Sequence, residues 1–140
     1  NGMGAGDACM QAVLGAAPCG TLGRPNLCGG GVSGLAAGLV GGLGVVGSAN
    51  IGDDAAMFEA VHGTAPDIAG KGFANPTALL LSIILMLDHL GERPAARRIE
   101  AALEKGYREG AHTTRDVGGG AGTDEFTDAV IAALPASGSH

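Results

Sequence analysis

The chain has 140 residues, about one domain's worth, and carries 8 Lys+Arg against 14 Asp+Glu for a formal charge of −6. That balance leaves no basic patch to neutralise phosphates and excludes a nucleic-acid partner, while 46% apolar content is too high for a disordered chain. Aromatics are only 3% and Trp is absent, so the core must be built from Ala, Val, Leu and Ile, and glycine is over-represented at 27 residues.

Sixteen of those glycines fall within residues 1–52, and between Asp7 and Asp53 the only charged side chain is Arg24. Met10–Val13 carries helix formers, but Cys19–Gly34 is dominated by Gly, Pro and small residues. Glycine pays the largest backbone entropy on folding, so weak structure is expected there. Leu35–Val46 (LAAGLVGGLGVV) reads as a closely packed helix entering a strand, with backbone-on-backbone packing needed to offset its glycines. Three cysteines, Cys9, Cys19 and Cys28, are an odd count at spacings that suit neither a disulfide framework nor a zinc site. They read as free thiols in a reducing compartment.

Ala56–Val61 (AMFEAV) alternates as a strand and runs into a loop, His62–Pro76, punctuated by Gly63, Pro66, Gly70, Gly72 and Pro76. Thr77–Leu90 follows as a helix opened by Pro76 and closed by Gly91. It is apolar nearly all round and so is expected to be buried. Its apolar run, Thr77–Leu87, falls short of the roughly 18 residues a membrane span needs, so no membrane partner is expected. A second helix starts at Pro94 and ends near Arg108. Ala95, Ile99, Ala102 and Leu103 form its inner stripe, and Arg97, Glu100, Glu104 and Arg108 face water, with Glu104 and Arg108 suitably spaced to pair. Thr113–Gly122 is a loop. Thr123 then caps a last helix with Asp124 and Glu125 in its first turn, whose inner face is Phe126, Val130, Ala133 and Leu134. The only tyrosine, Tyr107, reads as packing, and Ala136–His140 as a disordered tail. Asn1–Gly6 lacks the basic start and apolar run of a secretory leader.

The segment Glu59–Pro76, EAVHGTAPDIAGKGFANP, resembles the cofactor loop of the β-decarboxylating dehydrogenases. That family comprises the isocitrate, 3-isopropylmalate, homoisocitrate and tartrate enzymes. Asn26–Gly52, NPTALLLS (Asn75–Ser82) and Thr114–Leu134 resemble its flanking stretches. The likeness runs from about Asp7 to the end and matches only the carboxyl-terminal part of a family member. It implies an α/β isopropylmalate dehydrogenase-like fold, not a Rossmann fold, incomplete on its own. Residues 1–34 would be a degenerate end of the small domain carrying the metal segment, 35–135 the returning half of the large domain with the NAD loop, and 136–140 a tail.

The resemblance also implies roles. His62, Gly63, Thr64 and Ala65 would line the adenosine and pyrophosphate path, Pro66 would shape the bend, and Asn75 would meet the adenine. Asp67 would accept hydrogen bonds from the adenosine ribose, and Glu59 would neighbour the cofactor. Two anions in contact without a cation repel, so Asp67-Ile68, where NADP-using members carry Lys and Tyr, points to NAD. The plainer alternative is that Asp67 is simply an Asx-turn former after Pro66. Thr64 with ANPTALLLS is most similar to NAD-dependent isocitrate dehydrogenases, which oxidise and decarboxylate a 2-hydroxy acid with hydride transfer to NAD. Ser is more usual at the Thr64 position in isopropylmalate and homoisocitrate enzymes, which stay open as alternatives.

The family holds Mg²⁺ or Mn²⁺ through carboxylates. Two of these are replaced here by Gly30 and Gly34, and the spacing of Asp7 does not suit the third, so no metal ligand set is expected and the site reads as lost. The family's Pro at the Gly47 position is missing too. No catalytic residue of the family falls in this stretch, so the isolated chain is expected to be inactive. A non-catalytic nucleotide-binding regulatory subunit in a homo- or hetero-oligomer, and a decayed gene product, are the alternatives. The expected location is cytoplasmic, or the mitochondrial matrix in a eukaryote.

Overall fold

The computed structural model describes residues 26–135. Asp7, Cys9, Cys19, Met10–Val13 and the tail Ala136–His140 lie outside these residues. The chain divides into two compact units between Leu43 and Gly44, later than the division at Gly34 that the sequence suggests.

The described part of the first unit is helix α1, Asn26–Leu39. It runs straight through Gly29, Gly30, Gly31 and Gly34, where weak structure is expected from composition. Among the described residues no close packing offsets three of its glycines: a Cβ added at Gly31, Gly34 or Gly38 would meet nothing within 4 Å. The helix ends where Gly42 N–H bonds the Ala37 carbonyl at 2.7 Å, with Gly41 and Gly42 both at positive φ.

The second unit begins with an antiparallel ribbon. Strands β1 (Gly47–Ile51) and β2 (Ala56–Ala60) pair with Ser48 opposite Glu59 and Asn50 opposite Met57. Helix α2 (Thr77–His89) lies across both strands. Ser82, 1% exposed, joins the layers. Its hydroxyl donates to the Glu59 carbonyl (2.7 Å) or to Ala78 one turn back (2.9 Å) and accepts from Ser48 N–H (3.4 Å). At Gly47 the strand touches the helix so closely that a Cβ would stand 2.7 Å from Ser82 N. The expectation that α2 is buried all round fails on one side: Thr77, Ala78, Ser82 and Ile84 are buried, but Leu79 is 52% exposed and Leu85 40%.

Helix α3 (Arg93–Glu109) packs on α2, and α4 (Thr123–Ala133) packs on α3. The core forms where they meet: Ala102, Leu103, Phe126 and Val130, with Leu80, Leu81, Tyr107, Ala133 and Leu134 packed around them. On α3 the buried stripe is Ala96, Ala102 and Leu103, so Ala95 and Ile99 sit at its half-buried margin. Glu104 pairs loosely with Arg108 at 3.9 Å on the outer face. Between α3 and α4 the chain folds back on itself tightly. Gly119 N–H bonds the Thr114 carbonyl and Ala121 N–H the Thr113 carbonyl, and a Cβ at Gly119 would lie 1.9 Å from Thr113 O. Thr123 is the first residue of α4 rather than its cap. Gly122 holds the cap position, and the Thr123 side chain is used elsewhere.

Candidate functional site

The loop after β2 turns because its residues force it. Ala65 holds φ 41°, ψ 61°, a left-handed conformation that is uncommon for a residue with a Cβ and disfavoured before proline. The 3-10 turn Pro66–Ile68 follows, closed by Ile68 N–H on Ala65 O at 3.0 Å, and Gly70 and Gly72 reverse the chain at φ 73° and 65°. The bend is tied down from α4: Thr123 N–H bonds the Gly72 carbonyl at 2.8 Å, and its hydroxyl bonds the Ala74 carbonyl at 2.6 Å. Around this loop opens a cleft of about 440 Å³, within the roughly 300–1,000 Å³ common for small-molecule sites.

His62, Gly63, Thr64, Ala65, Ile68 and Asn75 all line the cleft, so most of the residues singled out from sequence come together. Three do not line it. Pro66 opens the 3-10 turn, Asp67 stands exposed on it, and the Glu59 carboxylate accepts from Asn50 Nδ2 across the ribbon at 3.1 Å. His62 Nδ1 lies 2.9 Å from the Gly63 carbonyl, which it bonds when that nitrogen carries the proton. The remaining wall is supplied partly by Phe73, whose ring is covered by the Arg115 guanidinium at 4.2 Å, and by Asp116.

Asp116 and Tyr107 carry a polar network that sequence reading missed. Asn75 Nδ2 donates to Asp116 Oδ2 (3.0 Å) and to the Tyr107 hydroxyl (3.1 Å), while Asn75 Oδ1 accepts from Thr77 N–H (3.0 Å). Tyr107 and Thr77 share a 2.6 Å hydrogen bond, and Thr114 donates to Asp116 Oδ1 at 2.6 Å. The signal available for Tyr107 was general: a packed tyrosine seeks a partner for its hydroxyl. Nothing comparable marked Asp116, which follows Thr114 in a short 3-10 turn, Arg115–Val117.

Chemically, the cleft combines apolar surface with a carboxylate and several carbonyls, and no Lys or Arg lines it among the described residues. It suits a flat heteroaromatic ring with a sugar and disfavours a phosphate monoester at the carboxylate. A divalent cation does not fit the described residues. Gly30 and Gly34 sit one turn apart on α1 without side chains, and no three His, Cys, Asp or Glu residues cluster among the described residues.

The family model described as isocitrate/isopropylmalate dehydrogenase matches residues 3–130. The isocitrate/homoisocitrate dehydrogenase of Thermus thermophilus is 59% identical over 109 residues, covering 78% of this chain and 32% of that protein. A mitochondrial protein of Dictyostelium discoideum, named as a regulatory subunit of NAD isocitrate dehydrogenase, is 52% identical over 124 residues, covering 88% and 35%. The crystal structure of isocitrate dehydrogenase from Methylococcus capsulatus superimposes with a TM-score of 0.85 at 45% identity, over 93% of this chain and 39% of that one. The chain thus spans about a third of the length of the curated relatives it matches.

Proposed function

The chain belongs to the isocitrate/isopropylmalate dehydrogenase family, and from that premise we propose that its cleft is the adenosine end of an NAD site in a protein of the NAD-dependent isocitrate dehydrogenase type. The observation that carries this reading is the composition of the cleft: the loop residues His62–Ala65, Ile68 and Asn75 converge there beside a carboxylate, with no cation in the wall. Asp67, exposed on the turn between the lining residues Ala65 and Ile68, accepts hydrogen bonds from the two ribose hydroxyls and repels a 2′-phosphate. Ile68, Ala65 and Phe73 supply apolar surface to the base. The whole-enzyme reaction, oxidation of a 2-hydroxy acid with hydride transfer to NAD and loss of CO₂, uses such a cleft as remote binding energy that holds the dinucleotide for chemistry elsewhere. Isopropylmalate or homoisocitrate as the substrate is the nearest alternative.

A second reading draws on Gly30 and Gly34, which supply no oxygen ligands where family members carry aspartates, and on the likeness to a relative named for a regulatory role. On that reading the chain binds nucleotide without turnover, inside a homo- or hetero-oligomer. No helix of the described residues is long and apolar enough to cross a membrane, which fits an enzyme working in an aqueous compartment such as the cytoplasm or the mitochondrial matrix.

Calorimetric titration of the full chain with NAD and NADP tests the main reading. Sub-millimolar NAD binding, with NADP at least about tenfold weaker, is the expected result. A folded sample that gives no heat with NAD at millimolar concentration refutes it. Mg²⁺-dependent reduction of NAD by this chain alone would refute the inactivity that goes with it.

A further inference from the structure

Asp116 supplies the one carboxylate among the described residues that line the cleft, and it is exposed. An exposed carboxylate turns about two torsions, and a ligand that has to stop it loses binding energy to the ordering. Here it is stopped in advance, by a neutral donor on each oxygen. Asn75 Nδ2 donates to Oδ2 at 3.0 Å and the Thr114 hydroxyl to Oδ1 at 2.6 Å. No cation pairs with the carboxylate among the described residues, and Arg115, the residue between, lies over the Phe73 ring. Each carboxylate oxygen therefore keeps acceptor capacity. Oδ2 stands 4.0 Å from where Gly44, another lining residue, would carry a Cβ.

The direction of the Thr114 bond is fixed, because an ionised carboxylate accepts and never donates. Among the described residues it is the one bond that the Thr114 hydroxyl makes. Thr114 is 0% exposed and holds the cap position of the 3-10 turn Arg115–Val117, yet its side chain bonds none of the turn's N–H groups, which is where a capping threonine directs its oxygen. Its carbonyl takes Val117 and Gly119 N–H instead. A buried hydroxyl is unfavourable unless it is bonded, and the group that satisfies this one is the cleft carboxylate.

We infer that Thr114 is a positioning residue for nucleotide binding: its buried hydroxyl, together with Asn75, holds the Asp116 carboxylate ready to accept an N–H or O–H of the adenosine end. This rests on the adenosine reading of the cleft given above. Thr114 itself does not line the cleft and acts through Asp116. The test is calorimetric titration with NAD of the full chain, of Thr114→Val, Thr114→Ser and Asp116→Ala, and of Thr114→Val combined with Asp116→Ala, with a thermal melt of each.

Thr114→Val keeps the shape and removes the donor, and should bind NAD about three- to tenfold more weakly. Thr114→Ser keeps the donor and should bind within about twofold of the parent. Asp116→Ala should lose at least as much as Thr114→Val. Adding Thr114→Val to Asp116→Ala should then change the affinity by less than about twofold, because the hydroxyl has no carboxylate left to hold. Thr114→Ala stands in for Thr114→Val if the latter fails to fold. A merely structural Thr114 would weaken binding equally with and without the Asp116 carboxylate. That additive result overturns this inference alone, as does parent-like affinity in Thr114→Val or Asp116→Ala, or a Thr114→Ser as weak as Thr114→Val. A parent chain that binds no NAD overturns the adenosine reading and this inference together.

Discussion

Glycine does opposite work in α1 and in the cleft-bearing unit. In α1 a Cβ at 31, 34 or 38 would reach no atom of the described residues within 4 Å, so each glycine costs helix stability with no packing return among them. In the second unit, Gly47 admits α2 to the backbone of β1, and Gly119 lets the chain pass under Thr113. The same residue type is dispensable in one region and compulsory in the other. What separates them is the distance from an imagined methyl to the nearest backbone, which composition does not contain. The loop residues of the second unit, by contrast, converge on one cleft.

Substitutions sharpen this contrast. The largest effect is expected for Gly119→Ala: a methyl 1.9 Å from a carbonyl oxygen cannot be absorbed by a side-chain shift, and denaturant unfolding should show a loss of more than about 3 kcal/mol or no cooperative transition. Gly47→Ala drives α2 off the ribbon at Ser82 and should cost about 1–3 kcal/mol. Any residue with a Cβ at this position would meet the α2 backbone at Ser82, so helix and strand are closer here than such a residue permits.

Exchanging Asp67 and Ile68 for Lys and Tyr should turn the coenzyme preference toward NADP by about ten- to a hundredfold with little change in melting. An unaltered preference would remove Asp67 from the site. The smallest effect is expected in α1, where Gly34→Ala and Gly38→Ala should each stabilise by at most about 1 kcal/mol. Destabilisation there would reveal a close contact and erase the contrast.

Three helices and one strand are legible in the chain because each has a local cause. α2 begins after Pro76 and ends before Gly91, α3 alternates an Ala/Leu stripe with charges, and β2 alternates Met57 and Glu59 against Phe58. β1 is legible only as the strand that Leu35–Val46 is expected to enter: Gly47–Ile51 itself contains one β-branched residue and pairs because β2 and Ser82 offer partners. α1 contradicts its composition, and nothing in the structure explains why a segment with that many glycines holds a helix. In the site, the loop is contiguous and so visible as a motif. Asp116 and Tyr107 come from 41 and 32 positions away and join it only through the fold. Thr123 looks like a cap because it precedes two acids, but it lies inside the first turn, where its hydroxyl donates to the Ala74 carbonyl, 49 positions back.

That pair of bonds from Thr123 to the Gly72 and Ala74 carbonyls ties the last helix to the binding loop. Any ligand that favours the ordered bend must, by reciprocity, favour a docked α4 by the same free energy. Occupancy should therefore slow amide exchange and proteolytic clipping along the C-terminal helix, well past Thr123, its one residue that lines the cleft, and trimming that helix should be felt as lost affinity.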